Sequence, residues 1–122
     1  MIEIKLKYMD ERILKWLYDI QEAINEIESY FVEHPKNFKY YRSNILLKRA
    51  VERDLEIIGE AVNRILKRDP EFPIEYAKQI VGLRNQIIHA YDNISDESIW
   101  AIISKHIPNL KEEVLNFIDK AE

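Results

Sequence analysis

The sequence contains no cysteine, which excludes a disulfide framework, a thiolate zinc site and a cysteine nucleophile together. It has two glycines and four prolines, too little punctuation for the many tight turns of a β-sandwich or barrel. No long hydrophobic run occurs, and the segment Met1-Ile2-Glu3-Ile4-Lys5 mixes charge with apolar residues. Neither a secretory signal nor a membrane span is therefore expected, and the pattern predicts a soluble, cytoplasmic protein. Positive charge is not in excess either: 18 Lys and Arg against 22 Asp and Glu leave a formal net charge of −4. That balance excludes broad, sequence-independent adhesion to nucleic acid through a basic surface, so any such contact must be local.

What is present is a helical pattern. Across 122 residues, 47% hydrophobic and 33% charged, one domain spanning 1–122 is expected, with a core large enough to need no staple. From about Glu11 to Phe31 the apolar residues Ile13, Leu17, Ile20, Ile24, Ile27 and Phe31 recur at spacings of four and three, one buried helical stripe. His34-Pro35-Lys36-Asn37 interrupts it, and His34 reads as a solvated loop residue. A second stripe, Leu47, Val51, Leu55, Ile58, Val62 and Ile65, is flanked by Leu46, Ala50, Ile57 and Ala61, which predicts a central helix with a wide buried face. Gly59 inside that helix costs roughly 1 kcal/mol relative to Ala, so its expected use is to admit another backbone closely. Asp69-Pro70-Glu71-Phe72-Pro73 ends the helix, and Pro73 suits the first turn of a third. After Tyr91 comes a turn, then Ser95 as N-cap with Asp96 and Glu97 in the first turn of a fourth helix. That helix carries Ile99, Trp100 and Ile103 up to Pro108, with His106 marking its end. Leu110, Val114, Phe117 and Ile118 supply a last amphipathic segment, kinked or separate. The fold expected is all-α, an up-and-down bundle of four to five helices.

The third helix carries an irregularity: Arg84 stands on its apolar line between Ile80 and Ile88. A guanidinium is always charged and offers a planar fork of donors, suited to holding a phosphate and stabilising charge that develops on it. An ion pair with Asp54 or Glu60 is the structural alternative. His89 titrates near neutral pH and could take a proton from a ribose 2′-hydroxyl or give one to a leaving oxygen, or it could simply cap a helix end. Five positions on an uninterrupted helix amount to roughly 7.5 Å of rise and about 140° of rotation, so Arg84 and His89 would not point to one spot. Either the helix ends between them or two chains contribute, and a symmetric dimer would supply two copies of each to one cleft. The three histidines lie far apart with no H-x-x-x-H pair, so neither a metal nor a cofactor is expected. Charged faces such as Lys111-Glu112-Glu113 read as solvation.

Arg84, four intervening residues and His89, with Asn85 after the Arg, resemble the R-x(4–6)-H signature of HEPN domains. His89-Ala90-Tyr91 resembles the H-x-Y extension of the HepT-like branch, although Ala90 stands where relatives often carry Gly. Leu55-Glu56-Ile57-Ile58-Gly59-Glu60-Ala61, Trp100 and Ile107-Pro108-Asn109-Leu110 extend the resemblance from about Ala50 onward. The resemblance implies a helical homodimer that cuts RNA without metal, with Arg84 and His89 catalytic and Asn85 orienting the site. It further implies a toxin whose partner, a minimal nucleotidyltransferase antitoxin, uses ATP to transfer AMP to Tyr91 and so silences it. The alternative is a non-catalytic HEPN module that binds a nucleotide or docks a nucleotidyltransferase with the same residues. A purely structural bundle would instead require Arg84 to be closed to solvent against an acid.

Overall fold

The computed structural model describes residues 9–89 and 95–121. Among the described residues there are six α-helices and one π-helical turn and no strand, so the all-α bundle is what forms. Helix α1 (Glu11–Glu33) begins where Asp10 accepts hydrogen bonds from the backbone amides of Arg12, at 2.8 Å, and Ile13, at 3.3 Å. The same carboxylate accepts from Arg68, and this bond holds Asp10 below the ordinary carboxyl range. Because Arg68 is the last residue of α3 (Ile45–Arg68), the pairing sets α1 and α3 antiparallel. Between them lies a short helix unannounced by any apolar stripe, α2 (Phe38–Ser43), started by the Asn37 side chain and stopped at Asn44, which also caps α3. His34 caps the end of α1 and its Nδ1 lies 2.7 Å from the Tyr40 hydroxyl, so it is tied into the α1–α2 corner.

The α1 and α3 stripes meet as expected: Leu17, Ile20, Ile24 and Ile27 are fully buried against Val51, Ile58, Val62 and Ile65. The flanks behave differently. Ala61 is buried, but Leu46 and Ile57 are exposed, so the covered face of α3 is narrower than its sequence suggests. Helix α4 (Ala77–His89) packs on α3 and α6 (Ile107–Ala121) packs on α1, which leaves the α1–α3 pair central. Helix α4 starts four residues later than Pro73 suggested. Phe72 and Ile74 are drawn inward, Phe72 stacking on Phe117 of α6 at 4.7 Å between ring centroids, and Glu75 hydrogen-bonds Asn109 and Glu113. Tertiary burial thus holds this stretch out of the helix.

Helix α5 (Asp96–Ala101) is capped by Ser95, whose hydroxyl accepts from the Ser98 amide, with both acids in the first turn. It runs without interruption through the π-turn Ile102–His106 into α6. Pro108 therefore ends nothing: its missing N–H falls where the ladder is already widened, a common remedy for an internal proline. His106 lies inside this continuous helix, its ring against Tyr76 at 4.3 Å between centroids. No helix among the described residues is long and apolar enough to cross a membrane.

Among the described residues one ionisable side chain, Asp54, is buried in the core. Asp54 is only 1% exposed and accepts from the Tyr30 hydroxyl at 2.7 Å, while that hydroxyl also lies 3.0 Å from Glu26. The two carboxylates compete for one phenolic proton. Burial pushes the Asp54 carboxyl up to about 6, against the opposing Tyr30 bond and with help from the Glu26 charge. The folded protein holds the Asp54 proton to higher pH than the unfolded chain does. The associated stabilisation is complete below the ordinary carboxyl value and is lost as pH rises through about 6. Thermal melts between about pH 4 and pH 8 should therefore show a falling contribution that Asp54→Asn removes; an equally steep fall in the variant would place the titration elsewhere.

Candidate functional site

The site is built where α4 crosses α3. A Cβ placed on Gly59 would fall on Cβ and Cγ of Arg84 and lie 3.2 Å from the Ile80 carbonyl oxygen. Gly59 is thus the residue that lets α4 seat against α3, and the carbons of the Arg84 side chain take the space its absent side chain leaves. The irregularity in the α4 stripe is resolved by this contact: the arginine stem packs like an apolar residue while its guanidinium reaches outward.

There the guanidinium meets Glu60, the neighbour of that glycine. Nη2 lies 2.5 Å from Glu60 Oε2, and Nη1 donates to Asn85 Oδ1 at 2.9 Å. Glu60 is shared, its other oxygen accepting from Arg64 Nε at 3.1 Å. Arg84 Nε is buried and has no hydrogen-bond partner, so one donor of the fork is unused. Asp54, the other acid considered as a partner for Arg84, pairs with Tyr30 instead. The Arg84 side chain keeps 22% exposure and lines a cavity of about 460 Å³ with Trp16, Arg53, Glu60, Arg64 and Ile88. Arg84 is therefore paired with an acid yet open to solvent, which removes the condition a purely structural arginine would need.

Asn85 is exposed beside Arg84, and His89 is exposed as the last described residue of α4. The helix is unbroken from Arg84 to His89, so the two side chains leave the axis about 140° apart. One chain does not bring them together: the cavity that Arg84 lines does not include His89. The expected AMP acceptor Tyr91, with Ala90 and the turn Asp92-Asn93-Ile94, lies outside the described residues. Among the described residues no group of three or more His, Asp or Glu side chains stands close enough to hold a metal ion.

Trp16, Arg53 and Arg64 did not stand out in the sequence. A signal existed: Arg49, Arg53, Glu60, Arg64 and Arg68 recur at helical spacing along one side of α3. Trp16 is on α1 and only the fold carries it there.

The family model described as Ribonuclease HepT-like matches residues 20–117. A Methanocaldococcus jannaschii protein named "Putative RNase" is 39% identical over 111 residues, 87% of this chain and 97% of the relative. A second protein of that organism with the same description is 35% identical over 118 residues, 93% of this chain and 94% of its own. The protein named "Probable ribonuclease HepT" from Thermococcus cleftensis is 36% identical over 100 residues, covering 79% of this chain and 86% of the relative. No solved structure gives a significant match.

The two glycines should respond oppositely to alanine. Gly82 is helical, exposed and has nothing within 4 Å of an added Cβ, so Gly82→Ala should gain up to about 1 kcal/mol in denaturant unfolding. Gly59→Ala should lose about 1–3 kcal/mol because the new methyl overpacks the helix crossing. A stabilised Gly59→Ala would mean that the close approach does not govern the site.

Proposed function

The chain belongs to the HepT-like ribonuclease family, and on that premise we propose that it is a metal-independent endoribonuclease acting as the toxin of a toxin–antitoxin pair. The unit that does this is taken to be one HEPN-like domain over 1–122, working as a twofold homodimer. The observation that carries the reading is the state of Arg84: a guanidinium on a helix that lines a cavity, keeps 22% exposure and is paired with a carboxylate that an entering phosphate can replace. Such a group holds a scissile phosphate and stabilises the charge that builds on its oxygens. The unbroken α4 separates Arg84 from His89, and this supports assembly of the site from two copies.

In this reading one His89 takes the proton from a ribose 2′-hydroxyl as that oxygen bonds to the adjacent phosphorus. The bond from phosphorus to the 5′-oxygen breaks, and the partner copy's histidine gives that oxygen a proton. The products are a 2′,3′-cyclic phosphate and a 5′-hydroxyl, with no net change in protons. Asn85, bonded to Arg84 Nη1, keeps the guanidinium plane turned toward the substrate.

Silencing follows from the same electrostatics. A minimal nucleotidyltransferase antitoxin would direct the Tyr91 hydroxyl onto the α-phosphorus of ATP, displacing pyrophosphate and leaving AMP on the tyrosine. A phosphate brought to Arg84 in this way would occupy the RNA phosphate position and repel the substrate. The H-x-Y pattern at His89-Ala90-Tyr91 is the support for this step.

Arg84→Ala and His89→Ala should each lower RNA cleavage by about 10²–10⁴-fold with unchanged circular dichroism. Tyr91→Phe should fold yet escape AMP labelling by the partner. Full cleavage by His89→Ala would sink the chemistry, and absence of cleavage by the unmodified parent would favour a non-catalytic module that binds a nucleotide or docks its partner.

A further inference from the structure

The cavity at Arg84 does not stand alone. It adjoins a second hollow through Arg53 and Glu56 and a third through Trp16 and Arg64, so the three form one trough along α3. From Arg49 to Arg68 the trough follows about 28 Å of helix. Its lining holds seven Lys and Arg residues against five Asp and Glu, in a chain where acids outnumber bases by 22 to 18. Cations have been concentrated here against the overall balance.

The order of groups along the trough is informative. Arg49 and Arg53 stand on one side of Arg84, and Arg64 and Arg68 on the other, all on a single face of α3. Trp16 of α1 is half-buried and lines both the central cavity and the hollow beyond it. Cations spaced along a groove track a phosphate backbone, and an aromatic ring offers a stacking platform that accepts any base. A groove lined by arginine on both sides of the catalytic candidate fits a chain passing through the site rather than a mononucleotide ending in it.

We propose that the α3 trough is the binding path for single-stranded RNA, with phosphates on Arg53 and Arg64 either side of Arg84 and one base stacked on Trp16. This rests on the ribonuclease reading for the identity of the strand and extends it by naming how the strand is held. Glu60 is the internal competitor. It occupies both Arg64 and Arg84 when no strand is bound, so an entering phosphate exchanges with it.

The test is equilibrium binding of a fluorescein-labelled 2′-O-methyl RNA octamer, which lacks the nucleophilic hydroxyl and cannot be cut. Anisotropy should report binding by the full chain that weakens with salt. In Arg53→Gln/Arg64→Gln the slope of log K against log salt should fall by about 1.4, two phosphate contacts at about 0.7 each. Trp16→Ala should weaken binding about tenfold, and Trp16→Phe should restore most of it. No binding by the parent, or an unchanged salt slope in the double variant, overturns the trough. So does conversion of the double variant to monomer in light scattering with its octamer affinity intact, because the face would then be an interface between copies. The two readings fail separately: octamer binding without cleavage of natural RNA leaves the trough and removes the ribonuclease, whereas cleavage indifferent to Trp16, Arg53 and Arg64 does the reverse.

Discussion

The seating of α4 on α3 at Gly59 is the contact on which the site depends. A helix interior is an unfavourable place for glycine, and the cost is offset by letting the Arg84 stem lie where a side chain would otherwise stand. That contact fixes the distance between the helices and so fixes the guanidinium. Glu60, the next residue along α3, then meets it as an ion pair. Arg84 is held from two sides by consecutive residues of one helix, carbon against glycine and charge against carboxylate, which leaves its guanidinium little freedom to wander.

Electrostatics divide the molecule. Acids predominate overall, yet the trough beside α3 reverses that balance. An excess of acids discourages indiscriminate adhesion to nucleic acid, while a short run of arginines gives local attraction for anions along the trough. Within the core the contrast recurs in miniature. The Asp54 carboxyl is raised because its burial outweighs both the Tyr30 hydrogen bond and the charge of Arg53.

Much of this was legible in the sequence, because a stripe at spacings of three and four states both that a helix forms and which side it buries. Helices α1 and α3, the role of Gly59, and the Ser95 cap followed directly from such local rules. The start of α4 did not, since Phe72 packs on Phe117, 45 positions away, and Ile74 is buried, which outweighs the preference of Pro73. Arg84 was conspicuous because it broke a pattern. Arg53 and Arg64 were not, because they lie on an outer face where charge is the rule, and their significance comes only from Trp16 on another helix.

The π-turn at Ile102–His106 has a consequence for length. The buried residues of this long helical arm are Ile99, Ile103, Ile107, Leu110, Val114 and Ile118. At about 100° per residue, Ile118 on a uniform α-helix would sit about 100° round the axis from Ile99. That spread is still one face, and the π-turn, which turns fewer degrees per residue, sets the angle at which α6 continues from α5. Substitutions within it should be absorbed if they suit its surroundings. A deletion or insertion of one residue would turn the whole of α6 away from α1, so this arm is more sensitive to the number of its residues than to their identity.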